Sequence, residues 1–230
     1  MAEVLITGAN RGIGLALVRS LAMRGDRIHA TCRRPAEAVE LKALAASPGF
    51  AVEVIGMDVA DPGSIRAAAG ALAGQPIDIL VNNAGVLGPE RQSTLDIDFD
   101  GWLRTFEINT ISPLRVVQAF LANLRLSAAA KILTVSSRMG SLAYNRSDRI
   151  AYRSSKSAVN KVMQGLATDL RGEGIAVSVV HPGWVATDMG GTGADLSPDV
   201  SAAGIVRVID KMRAKDSPRF YNYDGSELPW

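Results

Sequence analysis

The sequence predicts an α/β fold in which a doubly wound parallel sheet of about seven strands is covered by helices on both faces. Segments rich in β-branched residues alternate with segments of helical spacing along the whole chain. No linker divides them, and 230 residues with 47% hydrophobic content suit one large domain. We therefore expect a single domain over residues 1–230, with ligands bound where the parallel strands end.

The individual elements follow from hydrophobic periodicity and from the residues that begin and end each segment. Asp61 can cap a helix, Gly25 and Gly172 can close one, and Pro113 interrupts a long helical stretch. Strands are predicted at residues 3–8, 26–32, 50–59, 77–85, 131–137 and 175–183, with a possible seventh at 219–225. Helices are predicted at residues 12–25, 35–47, 61–74, 99–124, 151–172 and 197–212.

Composition and charge argue against several classes of protein. A net charge of +2 gives no strong field for nucleic acid. Cys32 is the single cysteine, so neither an intramolecular disulfide nor a thiolate metal cluster can form, and no metal site is expected. No signal peptide is visible, and no apolar run reaches the roughly 18–20 residues of a membrane span. We expect a cytoplasmic protein.

A glycine-rich turn, TGANRGIG, follows the first predicted strand and leads into the first helix. Its glycines, Gly8, Gly12 and Gly14, permit a tight turn and a close backbone approach. The helix that follows presents free N–H groups and the positive end of its dipole to a pyrophosphate. The position of the turn favours a dinucleotide site over a plain glycine-rich loop.

The end of the second strand indicates which dinucleotide. The stretch ATCRRP has no acid for a ribose 2′-hydroxyl, but it carries Arg33 and Arg34, and Arg11 lies in the glycine turn. Guanidinium groups pair with phosphate in a planar fork. The pattern predicts that NADP(H) is preferred and NAD(H) is possible, although these could be ordinary surface arginines. Asp58, at the end of the third strand, could hydrogen-bond an adenine edge.

The stretch YRSSK places Tyr152 and Lys156 four residues apart in a predicted helix. Side chains at this spacing lie on one face, with Cβ atoms roughly 5–6 Å apart. Taken alone, the pair is most simply an aromatic and a lysine on a surface helix. The motifs elsewhere in the chain change this interpretation.

Six motifs occur in a fixed order: TGANRGIG, NNAG, EINTISPL, SSRMG, YRSSK and HPGWVATDM. Together they resemble the classical short-chain dehydrogenase/reductase family over roughly residues 3–215. SSRMGSL and YDGSELPW look most like the subgroup of the bacterial C-factor and related small carbonyl reductases. The resemblance implies a Rossmann fold and hydride transfer between NAD(P)H and a small-molecule carbonyl or alcohol.

By position, the resemblance makes Tyr152 the catalytic acid/base, Lys156 its partner, and Ser137 the hydroxyl that orients the substrate. Asn109 matches the asparagine that holds a proton-relay water. A lysine ammonium near the phenol, with an oxidised nicotinamide, is expected to favour the phenolate and so lower the pKa of Tyr152. The cofactor contacts that the resemblance implies are Gly8, Asn10, Arg11, Gly12, Ile13, Gly14, Arg33, Asp58, Val59, Asn83, Ala84, Gly85, Tyr152, Lys156, Pro182, Gly183, Val185 and Thr187.

Two departures from the family pattern concern the substrate pocket. Two extra residues lie between Ser137 and Tyr152, and the segment 190–196 is short and glycine-rich, which predicts an open site. His181 is read as structural, while Trp184 could pack in the core or line the pocket. A homodimer is expected through helices over 108–124 and 152–170.

Two other functions remain open. The fold could serve a C-factor-like signalling or regulatory protein with little turnover, although the intact set of four catalytic positions favours an enzyme. An epimerase or dehydratase acting on a nucleotide sugar would share the Tyr/Lys pair. Such relatives are usually longer and carry a separate substrate domain.

Overall fold

The structure of the protein, a computed structural model, describes residues 1–191 and 193–230. Its strands are β1 (Glu3–Ile6), β2 (Arg27–Cys32), β3 (Ala51–Gly56), β4 (Ile79–Asn82), β5 (Gln92–Ser93), β6 (Asp96–Ile97), β7 (Lys131–Val135), β8 (Ala176–His181) and β9 (Phe220–Asn222). Its helices are α1 (Gly12–Met23), α2 (Val39–Ala45), α3 (Pro62–Ala71), α4 (Phe99–Phe106), α5 (Ser112–Ala119), α6 (Leu121–Arg125), α7 (Ile150–Leu170) and α8 (Pro198–Lys211), with a π-helical turn at Glu107–Ile111 between α4 and α5.

Seven of these strands form one parallel sheet in the order β3-β2-β1-β4-β7-β8-β9. The chain moves outward from β1 in one direction and from β4 in the other, so the strand order reverses between these two neighbours. At such a switch point the connections diverge and leave a crevice at the carboxyl ends of the strands. The predicted doubly wound Rossmann sheet, including its possible seventh strand, is confirmed.

The sheet is buried on both faces, as a parallel sheet covered by helices requires. Alternate residues of β1 point to opposite sides: Val4 and Ile6 belong to one hydrophobic cluster and Leu5 to the other, all with no solvent exposure. The first cluster packs against α1, α2 and α8, and the second against α3, α5 and α7. The carboxyl edge of the sheet is therefore held on a rigid core.

Three predictions about where helices begin, break or end are wrong. The second helix does not begin at Pro35: a 3₁₀ turn comes first, and Ala38 leaves the helical region at ψ 67° before α2 begins. The long helix breaks at a π-helical turn and again at Phe120, and not at Pro113, which lies near the start of α5, where its missing N–H is tolerated. The turn after α7 uses Gly174, at φ 74°, and not Gly172.

The caps at the other ends follow the sequence more closely. Asp61 accepts a hydrogen bond from the Gly63 amide at the start of α3, as predicted. Gly25 adopts φ 90° after α1, which is the left-handed conformation expected of a helix-closing glycine. The short antiparallel hairpin β5–β6 was not predicted, because two-residue strands carry no readable periodicity. No helix in the described residues combines the length and the apolarity needed to cross a membrane.

Candidate active site

The turns that follow β1 and β4 are locked together at the switch point. The Thr7 hydroxyl oxygen accepts hydrogen bonds from the backbone amides of Asn83 and Ala84, each at 3.0 Å. A Cβ atom on Gly8 would lie 2.9 Å from the Ala84 Cα atom, so the close approach requires glycine there. The predicted glycine turn and the NNAG motif therefore form one unit. Thr7 was not singled out in the sequence, because nothing about a threonine before a glycine turn marks it as a brace.

The glycines leave the start of α1 free of side chains. A Cβ atom on Gly14 would lie 2.6 Å from the Asn83 Nδ2 atom and closer still to the Gly8 carbonyl oxygen. Gly12 adopts φ 54°. Within residues 1–191 and 193–230 no side chain caps α1, and no acid occupies its first turn. Because the first amides of a helix need partners and its dipole is positive there, this surface suits the pyrophosphate of a dinucleotide.

Asn83 braces the glycine turn through its side chain, and its contact with the cofactor stays a prediction. Its side-chain amide donates to the carbonyl oxygens of Thr7 and Gly8 at 3.0 and 3.1 Å. Both amide hydrogens are thus used to brace the glycine turn. Within that turn, Asn10 is exposed and Ile13 packs against the core below.

The predicted adenosine end carries one arginine without an ion-pair partner among the described residues. Arg33 is exposed directly after β2, whereas Arg34 pairs with Glu37 at 3.2 Å and Arg11 pairs with Asp188. Asp58 accepts from the Ala60 amide through Oδ1, at 2.9 Å, and its neighbour Val59 is buried. The second carboxylate oxygen of Asp58 has no hydrogen-bond partner in the described part of the chain, so it fits the proposed contact to an adenine amine.

Tyr152 and Lys156 lie one above the other near the start of α7. Both side chains are almost fully buried, and the Lys156 Nζ atom lies 5.8 Å from the centre of the Tyr152 ring. Lys156 Nζ donates a hydrogen bond to the Val135 carbonyl oxygen at 2.8 Å, which ties α7 to the end of β7. A Cβ atom on Gly140 would lie 2.8 Å from the Lys156 Cβ atom. This close packing brings the turn that carries Ser137 against the same helix.

Ser137 has its hydroxyl hydrogen available for a second oxygen. Its Oγ atom accepts a hydrogen bond from the Met139 amide at 3.1 Å, and the residue caps the 3₁₀ turn at Arg138–Gly140. A hydroxyl that accepts one hydrogen bond can still donate its own proton. Ser137 therefore lies at the carboxyl end of β7, hydrogen-bonded to Tyr152, and its hydroxyl has the capacity to hold a carbonyl oxygen.

Burial controls the protonation of the tyrosine and the lysine. Desolvation raises the pKa of Tyr152, and this outweighs the hydrogen bond from Ser137 and the charge of Arg149, which both lower it. Burial lowers the pKa of Lys156 to about 8. The expectation that the lysine and an oxidised nicotinamide together lower the pKa of the phenol concerns the cofactor-bound protein, and it stays a prediction. Without cofactor, the residues of the chain keep Tyr152 protonated at neutral pH, as a proton donor requires.

Asn109 lies in the π-helical turn and is fully buried. Its Oδ1 atom accepts from the Val86 amide at 2.9 Å, and its Nδ2 atom donates to the Val86 carbonyl at 2.8 Å and to the Ser155 hydroxyl at 3.0 Å. A Cβ atom on Gly85 would lie 3.2 Å from Asn109 Oδ1 and 3.7 Å from Lys156 Nζ. The side chain thus clamps the loop after β4 to α7, and the water relay stays a prediction.

The loop after β8 lies beside the glycine turn. The Pro182 carbonyl accepts from the Ser201 hydroxyl at 2.6 Å, and Gly183 adopts φ 85°. Val185 is buried and forms a β-bridge with Leu196. A Cβ atom on Gly12 would lie 3.1 Å from Thr187 Cγ2. The four predicted cofactor contacts of this loop, Pro182, Gly183, Val185 and Thr187, therefore lie in one segment next to α1.

His181 is the last residue of β8, and Trp184 lies in the loop that follows. The Nδ1 atom of His181 is buried without a hydrogen-bond partner among the described residues, and burial lowers its pKa to about 4. The ring is therefore neutral at neutral pH, in agreement with a structural role. Trp184 is 54% exposed and donates to the Gly190 carbonyl at 2.8 Å, which excludes the core-packing alternative.

Gln92 supports the start of helix α7 but was missed in the sequence. Its Oε1 atom accepts from the Tyr152 backbone amide at 3.1 Å, which satisfies one of the free amides at the start of α7. Its Nε2 atom donates to the Leu87 carbonyl at 3.1 Å and to the Pro89 carbonyl. The contact spans 60 residues of sequence, and no local pattern around Gln92 indicates it.

Comparison with known proteins agrees with this geometry. The family described as short chain dehydrogenase matches residues 2–195. The C-signal protein of Myxococcus xanthus is 47% identical over 156 residues, which are 67% of this chain and 93% of that protein. The 1-hydroxy-2-glutathionyl-2-methyl-3-butene dehydrogenase of Rhodococcus sp. (strain AD45) is 36% identical over 237 aligned positions, covering 100% of both proteins.

Solved structures give the same result. The NADPH-bound carbonyl reductase from chicken fatty liver superposes with a TM-score of 0.93 at 35% identity, covering 100% of this chain and 99% of that one. A carbonyl reductase from Pseudomonas aeruginosa PAO1 in complex with NADP has a TM-score of 0.85 at 32% identity, with 100% of both chains covered. These similarities confirm the resemblance read from the six motifs. The chain belongs to the short-chain dehydrogenase family, among relatives that include C-signal and the carbonyl reductases.

Proposed function

We propose that this protein is an NADP(H)-dependent oxidoreductase that reduces the carbonyl group of a small molecule to an alcohol. The observation that supports this most strongly is the buried group of Ser137, Tyr152 and Lys156 at the end of β7 and the start of α7. A protonated phenol and a serine hydroxyl lie within hydrogen-bonding distance of each other there. These are the groups that a carbonyl oxygen needs as it gains negative charge.

In this proposal each residue has one task. Ser137 donates its hydroxyl hydrogen to the substrate oxygen, and Tyr152 donates the proton that converts the developing alkoxide to an alcohol. When bound, the nicotinamide supplies the hydride. Lys156 has a pKa of about 8, so it carries a positive charge over part of the neutral range and can stabilise the phenolate that Tyr152 leaves behind.

The cofactor assignment rests on the open helix end and the arginines. The uncapped start of α1 suits a pyrophosphate, and Arg33 offers an exposed guanidinium after β2. Similar proteins of known structure, the chicken and Pseudomonas aeruginosa carbonyl reductases, contain NADPH and NADP. We infer that NADP(H) is preferred and that NAD(H) binds more weakly.

The second candidate is a signalling or regulatory protein, favoured by the 47% identity to C-signal. Both candidates predict cofactor binding, so turnover separates them. Purified protein with NADPH should be given a panel of ketones and aldehydes, and loss of reduced nicotinamide followed by absorbance. We expect carbonyl-dependent consumption of NADPH. Tight NADPH binding without consumption on any carbonyl of a broad panel would favour the signalling role.

A further inference from the structure

One ion pair joins the glycine turn to the loop after β8. The Arg11 Nη1 atom donates to the Asp188 Oδ2 atom, although the two residues are 177 positions apart in sequence. Both side chains remain largely exposed, 68% for Arg11 and 76% for Asp188. Arg11 and Arg33 are the two arginines among the cofactor contacts that the resemblance implies, and both are expected to face the 2′-phosphate of NADP(H). The Arg11 guanidinium therefore already contacts a carboxylate.

The loop itself fixes the position of Asp188. The amides of Gly190 and Gly191 both donate to the Thr187 carbonyl, at 3.1 and 2.9 Å, and close a tight turn around Asp188. Ala186 and Trp184 pair with Leu196 through backbone hydrogen bonds at 2.8 and 3.1 Å. The backbone that carries Asp188 is thus held beside the glycine turn by contacts that do not depend on Arg11.

The charges that face Arg11 differ from those around Arg33. Asp188 has no other cationic partner among the described residues, and Arg33 has no anionic one. A carboxylate and a phosphate are both acceptors for the guanidinium fork, and they repel each other. The 2′-phosphate of NADP(H) must therefore displace Asp188 from Arg11 or bind beside a group of the same charge. The 2′-hydroxyl of NAD(H) is uncharged and has to do neither.

We propose that Asp188 sets cofactor selectivity, because its carboxylate competes with the 2′-phosphate of NADP(H) for the Arg11 guanidinium. This inference rests on the proposed function, since it needs Arg11 to contact the phosphate. Arg11 and Arg33 favour NADP(H) over NAD(H). The Asp188 carboxylate makes that preference smaller. Exposed ion pairs are weak, so the expected effect of removing the carboxylate is about a two- to fivefold gain in NADPH affinity.

The test compares Asp188→Asn with a matched control, Asp199→Asn. Asp199 pairs with Arg19 at 2.9 Å and is 68% exposed, so its variant also removes an exposed arginine–aspartate pair beside α1. Dissociation constants for NADPH and NADH should be measured by titration at low and high salt. Adenosine 2′,5′-bisphosphate and AMP isolate the contribution of the phosphate. Thermal unfolding shows whether each variant is folded.

We expect Asp188→Asn to tighten NADPH and the bisphosphate about two- to fivefold, with little change for NADH and AMP. Asp199→Asn should change none of the four dissociation constants. In an Arg11→Gln background the Asp188→Asn effect should shrink to the part that comes from repulsion between the carboxylate and the phosphate, because the contested guanidinium is gone. Added salt should shrink the difference, since these side chains are exposed.

Three results would overturn the competition while leaving the cofactor assignment intact. They are weaker NADPH binding in Asp188→Asn, equal changes for NADPH and NADH, and no change for either. Weaker binding would mean that Asp188 positions Arg11 for the phosphate. A wild-type protein that binds NADPH no more tightly than NADH would instead overturn the cofactor assignment, and the competition with it.

Discussion

Replacing Gly14 by alanine tests whether the glycine turn must stay free of side chains. In the wild-type backbone the new Cβ atom would lie 2.6 Å from Asn83 Nδ2 and closer to the Gly8 carbonyl, against an ordinary contact of 3.4–4 Å. The turn must therefore shift by about 1 Å, and overpacking of this kind costs typically about 1–3 kcal/mol. Alanine returns roughly 0.4–1 kcal/mol of helix preference. The midpoints of these two ranges give a net loss of about 1.3 kcal/mol in the free energy of unfolding, and their extremes bound it at about 2.6 kcal/mol.

Gly70→Ala is the matched control, because Gly70 is also helical but has no atom within 4 Å of its Cβ position. That variant should gain roughly 0.4–1 kcal/mol. Both should be measured by denaturant unfolding and by NADPH titration. Displacing the turn should weaken NADPH binding in Gly14→Ala by roughly tenfold or more, whereas Gly70→Ala should bind normally. A Gly14→Ala protein with wild-type stability and NADPH affinity would refute the reasoning.

Three other predictions follow. Arg33→Ala should weaken NADPH by about ten- to a hundredfold, since a charge-assisted hydrogen bond contributes roughly 1.5–3 kcal/mol; an equal loss for NADH would show that Arg33 is structural. Arg149→Gln should shift the pH profile of alcohol oxidation to higher pH, because Arg149 lowers the pKa of Tyr152. The exposed Arg146→Gln serves as its control, and an unshifted Arg149→Gln profile would contradict this. Light scattering should give a homodimer; a mass near 24.3 kDa would contradict a dimer.

Hydrophobic periodicity, together with the residues that mark helix ends, was sufficient to predict the sheet and most of the helices that cover it. The strands of a parallel sheet are apolar on both faces, and Asp61 and Gly25 mark helix ends through local backbone chemistry. Gly172 and Gly174 show the limit: both could close α7, and the choice depends on how the chain enters β8. Two-residue strands such as those of the hairpin carry too few residues for any pattern.

The candidate site was predictable where residues lie in ordered motifs, and not where it depends on contacts between distant segments. Thr7 and Gln92 brace the site through hydrogen bonds to residues 60 or more positions away. The Arg11–Asp188 pair likewise depends on how the loop after β8 folds. The burial that raises the pKa of Tyr152 could not be predicted, because a helical spacing reveals the nearby lysine but not the depth of burial.

The proposed carbonyl reduction depends on Tyr152 as the proton donor, and the Tyr152→Phe variant tests this most directly. The change removes only the hydroxyl and leaves a buried ring, so the fold and NADPH affinity should be retained. General acid catalysis contributes typically about 10²–10⁴-fold, so kcat for the best carbonyl substrate should fall by that order. The measurement is NADPH consumption by the wild type and the variant at saturating cofactor. A folded, NADPH-binding Tyr152→Phe protein that reduces its substrate at nearly the wild-type rate would contradict the proposed mechanism.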